Sequence, residues 1–215
     1  MPVFITFEGI EGSGKSLQIA RAREYLQGKG IACLVTREPG GTAFGAALRT
    51  VLLGMNEYRM EPWCELLLYL ADRHQHLKEV IEPAIKRGFV VLSDRYQDAT
   101  RAYQGAARGI PRTEIEKLNQ LLGIIESDRT ILLDLDPEEG LSRARARNLT
   151  SGASAAEGRF EAEDSEFHRK VRQAYLDLAA EAPQRITVVP ASGKPEEISA
   201  HIARLLDEWL AVKTK

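Results

Sequence analysis

The chain has 215 residues, 44% hydrophobic and 28% charged, with a formal net charge of −2. That suits one domain with a well-buried core and excludes a global positive field that would recruit nucleic acid. The two cysteines, Cys33 and Cys64, and the four scattered histidines make no metal-ligand spacing.

In chain order, 2–7 reads as a short buried strand ending at a glycine-rich turn, and 15–28 as a helix stopping at Gly28-Lys29-Gly30. A second strand spans 31–36. Its cysteine, Cys33, lies in an apolar run and reads as a buried structural thiol. The loop "REPGGT" leads to a short helix over roughly 43–53. Pro62 opens a long helical segment to about Arg87, with Pro83 expected to kink or break it. Gly88 ends that segment, and "FVVLS" is a third strand. A helix over 112–122 follows Pro111, and "TILLDLD" is a fourth strand. Pro137 opens a helix that runs into "RARAR"; 163–182 is helical, "RITVVP" is a fifth strand, and 195–212 is a closing amphipathic helix. Five apolar strands alternating with helices predict a single α/β domain over 1–215, with a parallel sheet covered on both faces. The N-terminus meets the glycine-rich motif before any apolar core long enough for a signal peptide, and no run approaches the ~20 apolar residues of a membrane span. A cytoplasmic protein is expected.

"GIEGSGKS", Gly9 to Ser16, matches the phosphate-cradling pattern GxxxxGK[ST]. Its backbone, from Gly9, Ile10, Glu11, Gly12, Ser13 and Gly14, wraps phosphate oxygens at a helix N-terminus. Lys15 reaches the β- and γ-phosphates, and Ser16 holds Mg²⁺. The bland alternative is a glycine-rich turn without a ligand, but the motif follows a strand and opens a helix, as a cradle requires. Asp94 ends the apolar strand in "FVVLSDRY", where a Mg²⁺-positioning acid is needed; alternatively it caps a helix. No N/T-K-x-D guanine-reading motif is present. Arginines scattered over several elements point to a nucleotide kinase, which must neutralise two polyanions and exclude water beneath a lid.

"FEGIEGSGKS", "TREPGGT", "DRYQDATRAYQG" and "LDLDPEEGLSRARAR" follow one another in this order. With these motifs and their spacing the chain resembles thymidylate kinases, closely the bacterial form, from end to end. The resemblance implies a P-loop kinase fold with strand order 2-3-1-4-5, transfer of the ATP γ-phosphate to dTMP with Mg²⁺, and a homodimer built through helices. It implies that Tyr69 stacks on thymine, although a core tyrosine in "LLLYLA" is the competing reading. Arg73, one helical turn on, binds base or acceptor phosphate. Arg95 grips the dTMP phosphate, with Arg49 helping. Thr100, Tyr103 and Gln104 meet base and sugar, Glu11 meets the 3′-hydroxyl, and Glu38-Pro39 shapes the floor. For Arg49 and Thr100, plain surface residues compete. The cradle carries no arginine of its own, so the resemblance assigns that role to a lid over approximately 143–161, with Arg159 as the catalytic arginine. Arg143 and Arg147, four apart, reach ATP phosphates or adenine, while Arg145 points elsewhere. A kinase of this fold with another acceptor, or a non-enzymatic ATP switch, remains as an alternative. Neither nucleic acid nor a membrane is an expected partner.

Overall fold

A computed structural model describes residues 3–54, 59–151 (147–151 as helix backbone only) and 158–211. Five parallel strands form one sheet: β1 (Phe4–Glu8), β2 (Cys33–Arg37), β3 (Val90–Asp94), β4 (Arg129–Asp134) and β5 (Ile186–Pro190). Their order is β2-β3-β1-β4-β5. Register sets Thr6 beside Ser93 on β3 and Thr130 on β4. The apolar pleat splits the core by face. Ile5, Phe7, Val90 and Leu92 join Ile19, Ala22 and Leu26 of α1 (Lys15–Gly28). Phe4 and Val91 instead meet Leu77, Ile81, Ala84 and Tyr96. Strands buried on both faces explain the near-continuous apolar runs in the sequence.

Six of the seven expected helices form: α1, α2 (Ala43–Leu53), α6 (Arg112–Leu121), α7 (Pro137–Ser151), α8 (Ser165–Glu181) and α9 (Pro195–Ala211). The long segment after Pro62 differs in detail. It is α3 (Pro62–His76), then a π-helical stretch Leu77–Ile81, then α4 (Glu82–Lys86). Pro83 has no N–H to donate one turn back. The helix answers by widening before it rather than breaking, and Glu82 N–H bonds the Leu77 carbonyl five residues back. Residues 97–107, not expected to be helical, form α5 (Gln97–Thr100) and a second π-helical stretch Arg101–Ala107. Five of their residues, Gln97, Asp98, Thr100, Arg101 and Gln104, are polar yet buried, so no apolar stripe announces them. Ion pairs dock them instead: Asp98 accepts from Arg101 and Arg185, and Arg101 also pairs with Glu116 and Glu126. Cys33 is half-buried rather than buried, because β2 is the edge strand. Cys64 is exposed.

Among the described residues no helix is long and apolar enough to cross a membrane.

Candidate active site

The carboxyl ends of β1, β2 and β3 open onto one cavity of about 570 Å³, a size suited to a small-molecule ligand. The loop after β1 supplies the cradle. Lys15 is buried and folds back, donating to the carbonyls of Gly9 (2.9 Å) and Ile10 (2.8 Å) and to Ser13 Oγ (3.3 Å). Burial, and then the neighbouring Arg95, push its ammonium down to about 8. Ile10 itself turns its side chain into the core. Gly12 has φ 73, and a Cβ there would sit 2.0 Å from the Gly140 carbonyl. A Cβ on Gly140 would in turn meet the Glu11 carbonyl at 2.5 Å. Two glycines therefore let α7 start directly against the cradle. Ser16 Oγ donates to Asp94 Oδ2 at 3.0 Å, and both residues line the cavity.

Arg95 follows β3 with φ 70, a left-handed conformation costing a non-glycine residue on the order of 1–3 kcal/mol. Its Nη2 donates to Glu11 Oε1 (2.7 Å) and Tyr103 Oη (3.0 Å), and its Nη1 to Tyr175 Oη (3.2 Å). Tyr103 Oη donates in turn to Glu11. Burial opposes ionisation of Glu11, but Arg95 and Lys15 outweigh it and hold the carboxyl below its ordinary range. The Arg95 guanidinium stays charged well beyond its usual range despite burial, through Tyr103 and Glu11. His168 from α8 faces Glu11 Oε2 at 3.7 Å.

The opposite wall comes from α3, α5 and the Arg101–Ala107 stretch, with the loop after β2 and α2. Tyr69, Arg73, Thr100, Tyr103 and Gln104 all line the cavity, as do Glu38, Pro39 and Arg49. Glu38–Pro39 is a cis peptide. Arg49 donates to the Pro39 carbonyl at 2.9 Å, so it is no plain surface residue. Arg73 is wholly buried; its Nε donates to Glu38 Oε2 and one terminal nitrogen to the Tyr96 carbonyl. Its other terminal nitrogen, Nη1, and Thr100 Oγ1 are buried without a hydrogen-bond partner among the described residues. Such groups are costly to leave unpaired, which points to a ligand. Burial pushes the Tyr69 hydroxyl well above its ordinary value. Gln104 Nε2 donates to buried Glu65 at 2.7 Å.

Arg143 and Arg159 are not brought to the cradle. Arg143 donates to the Ala191 carbonyl and to Glu139. The Arg147 side chain, like the Ser/Ala/Gly run 152–157, lies outside the described residues. Arg159 donates to the Leu52 carbonyl and pairs with Glu65, and it does not line the cavity. Its neighbour Phe160 does, packing edge-on to Tyr103 with ring centroids 5.2 Å apart.

Several site residues were not anticipated: Arg37, Leu53, Phe160, Glu161, Glu8 and Tyr175. Glu8 had a signal, an acid closing an otherwise apolar strand as Asp94 closes β3. It is fully buried, and burial and then the charge of Asp98 push its carboxyl up to about 7, against the pull of Arg95.

Against known proteins, the thymidylate kinase family model matches residues 7–202. The thymidylate kinase of Nitratidesulfovibrio vulgaris (strain Miyazaki F) is 47% identical over 214 residues, covering 99% of this chain and all of that protein. That of Pelobacter propionicus is 50% identical over 212 residues, covering 98% and 96%. The crystal structure of thymidylate kinase from Ehrlichia chaffeensis matches with a TM-score of 0.74 at 29% identity, covering 95% of this chain and 98% of that one.

Proposed function

The chain belongs to the thymidylate kinase family, whose members transfer the γ-phosphate of ATP to dTMP to give dTDP, and from this premise we propose how its residues divide that work. The observation that carries the division is the meeting, in one cavity, of the Lys15 cradle with the Arg95–Glu11–Tyr103 cluster. ATP phosphates take the cradle, displacing the backbone carbonyls from Lys15. The dTMP phosphate takes Arg95, with Arg49 behind it. Thymine lies against Tyr69. Its carbonyl and imide edge takes up the unpaired Arg73 nitrogen and Thr100 hydroxyl. Glu11 and Tyr103 face the sugar, and Gln104 completes that wall.

The Ser16 hydroxyl and Asp94 carboxylate are hard oxygen donors 3.0 Å apart, a donor pair that fits Mg²⁺. Bound there, the ion would neutralise charge on the phosphate oxygens. The acceptor is a phosphate oxygen, already anionic at neutral pH, so the transfer needs no general base. Catalysis is in-line positioning plus electrostatic stabilisation by Lys15, Arg95 and an arginine delivered by the lid over 143–161. Arg159 is the candidate, which requires it to leave Leu52 and Glu65; Arg143 and Arg147 attend ATP. The enzyme is cytoplasmic and works as a single domain within a homodimer.

A coupled assay with ATP, Mg²⁺ and a panel of nucleoside monophosphates tests the acceptor assignment. dTMP should turn over far faster than UMP or CMP. Equal turnover of CMP, which lacks the 4-carbonyl and N3 imide of thymine, would remove the roles given to Arg73 and Thr100, and equal turnover of UMP, which keeps that edge but carries a 2′-hydroxyl, would remove the sugar-facing role of Tyr103. The dimer has a candidate surface in the exposed apolar side chains Phe44 and Val51 of α2 with Trp63 and Leu67 of α3. Leu67→Glu should halve the mass measured by light scattering. An unchanged mass moves the interface elsewhere or leaves a monomer.

A further inference from the structure

The division of work above leaves Glu8 and Tyr175 idle, yet both converge on Arg95. Glu8 closes β1 with its side chain shut off from water. A buried carboxylate is expensive unless its acceptors are used, and an apolar residue would continue the strand at less cost. Among the described residues no basic side chain bonds it. One oxygen accepts from the Tyr96 backbone N–H at 2.8 Å, the other from the Tyr175 hydroxyl at 2.7 Å. Both bonds lead to the same place. Tyr96 N–H is the amide immediately after Arg95. The Tyr175 hydroxyl that donates to Glu8 accepts from Arg95 Nη1 at 3.2 Å.

The rest of Arg95 is fastened as closely. Its N–H donates to the Phe7 carbonyl at 3.0 Å, and its own carbonyl accepts from Ser93 Oγ at 2.8 Å. Its left-handed backbone thus has partners on both sides, and its guanidinium has two supports. One runs through Nη2 to the cradle and the 101–107 stretch, the other through Nη1 to α8 and β1. The first support, Glu11 and Tyr103, also faces the sugar. The second touches nothing that the substrate occupies in the proposed pose. Its remaining use is to hold the arginine.

We propose that Glu8 and Tyr175 are positioning residues: one buried carboxylate fixes the Arg95 backbone through Tyr96 N–H and its guanidinium through the Tyr175 hydroxyl, aiming it at the acceptor phosphate. This rests on the reading of Arg95 as the phosphate grip.

The test compares dTMP with thymidine, which has the same base and sugar but no phosphate. Binding of both to the full chain is measured by calorimetry at pH 8. Tyr175→Phe keeps the ring and removes one oxygen; it should raise the dTMP Kd about 10-fold, the scale of one hydrogen bond to a charged group. The thymidine Kd should stay within about 2-fold, and kcat at saturating dTMP should fall as well, because Arg95 also stabilises the transferred phosphoryl group. Glu8→Gln should give the same split without lowering Tm, because it removes a buried charge. Arg95→Ala is the control and should lose dTMP affinity more steeply than either. Equal losses for both ligands, or none for either, in both Tyr175→Phe and Glu8→Gln overturn the inference. If Arg95→Ala itself leaves dTMP binding intact, the phosphate-grip reading falls and the inference falls with it.

Discussion

Arg159→Ala should reduce kcat by roughly 10³-fold or more, the scale of an arginine supplied to the transferred phosphoryl group. Its dTMP Kd should change by no more than about 3-fold, since uniform binding is untouched. The structure makes this a sharp test, because Arg159 is held against the Leu52 carbonyl and Glu65 rather than against the cradle. Its departure is feasible on electrostatic grounds. Buried Glu65 keeps Gln104 at 2.7 Å and Arg108 at 3.5 Å on Oε1, so the carboxylate retains a cationic partner, although its Oε2, which faces Arg159, is left without one among the described residues when Arg159 leaves. Steady-state kinetics and a melting curve separate two outcomes. A loss of kcat with a modest change in Tm makes Arg159 the delivered arginine. A wild-type kcat with a lowered Tm makes it a latch between 158–164 and α2, and the catalytic arginine must then be sought at 143 or 147.

Lys15→Met should reduce kcat/KM for ATP by on the order of 10²–10³, as for removal of one preorganised donor to developing charge. The dTMP Kd should change far less, because apart from Glu11 the acceptor side is built from other elements. The wild-type lysine carries a second signature. Held down to about 8 by burial and Arg95, it is partly neutral in weakly alkaline buffer. Phosphate charge beside it raises that value, so ATP binding near pH 8 should draw protons from solution. Calorimetry in two buffers of different ionisation enthalpy reads that uptake, and Lys15→Met should lose it. Uptake that persists in the variant assigns the proton elsewhere.

The parts of this enzyme legible in its sequence are those whose chemistry is local. Gly9 to Ser16 and the acid closing "FVVLSD" declare themselves by spacing, and the five strands by apolar runs. What escaped has long-range causes. Residues 97–107 are helical because Arg101 and Arg185 neutralise Asp98, and Arg185 is 87 positions away. The widened turn before Pro83 is one of several solutions to a missing N–H, and only packing against Phe4 and Val91 chooses among them. Cys33 was misjudged because an apolar run does not say which strand lies at the edge. Glu8 and Tyr175 are 167 positions apart, and nothing in either neighbourhood names the other.

The glycine pair at 12 and 140 carries a mechanical implication. Helix α7 bears Arg143 and leads toward Arg159, and its first turn rests backbone to backbone on the phosphate cradle. A lever mounted this way has its fulcrum at the cradle. It cannot tilt at its base without pushing the loop that holds the phosphates. On the proposed lid reading, a swing that carries an arginine inward and leaves the cradle undisturbed must therefore begin beyond position 140.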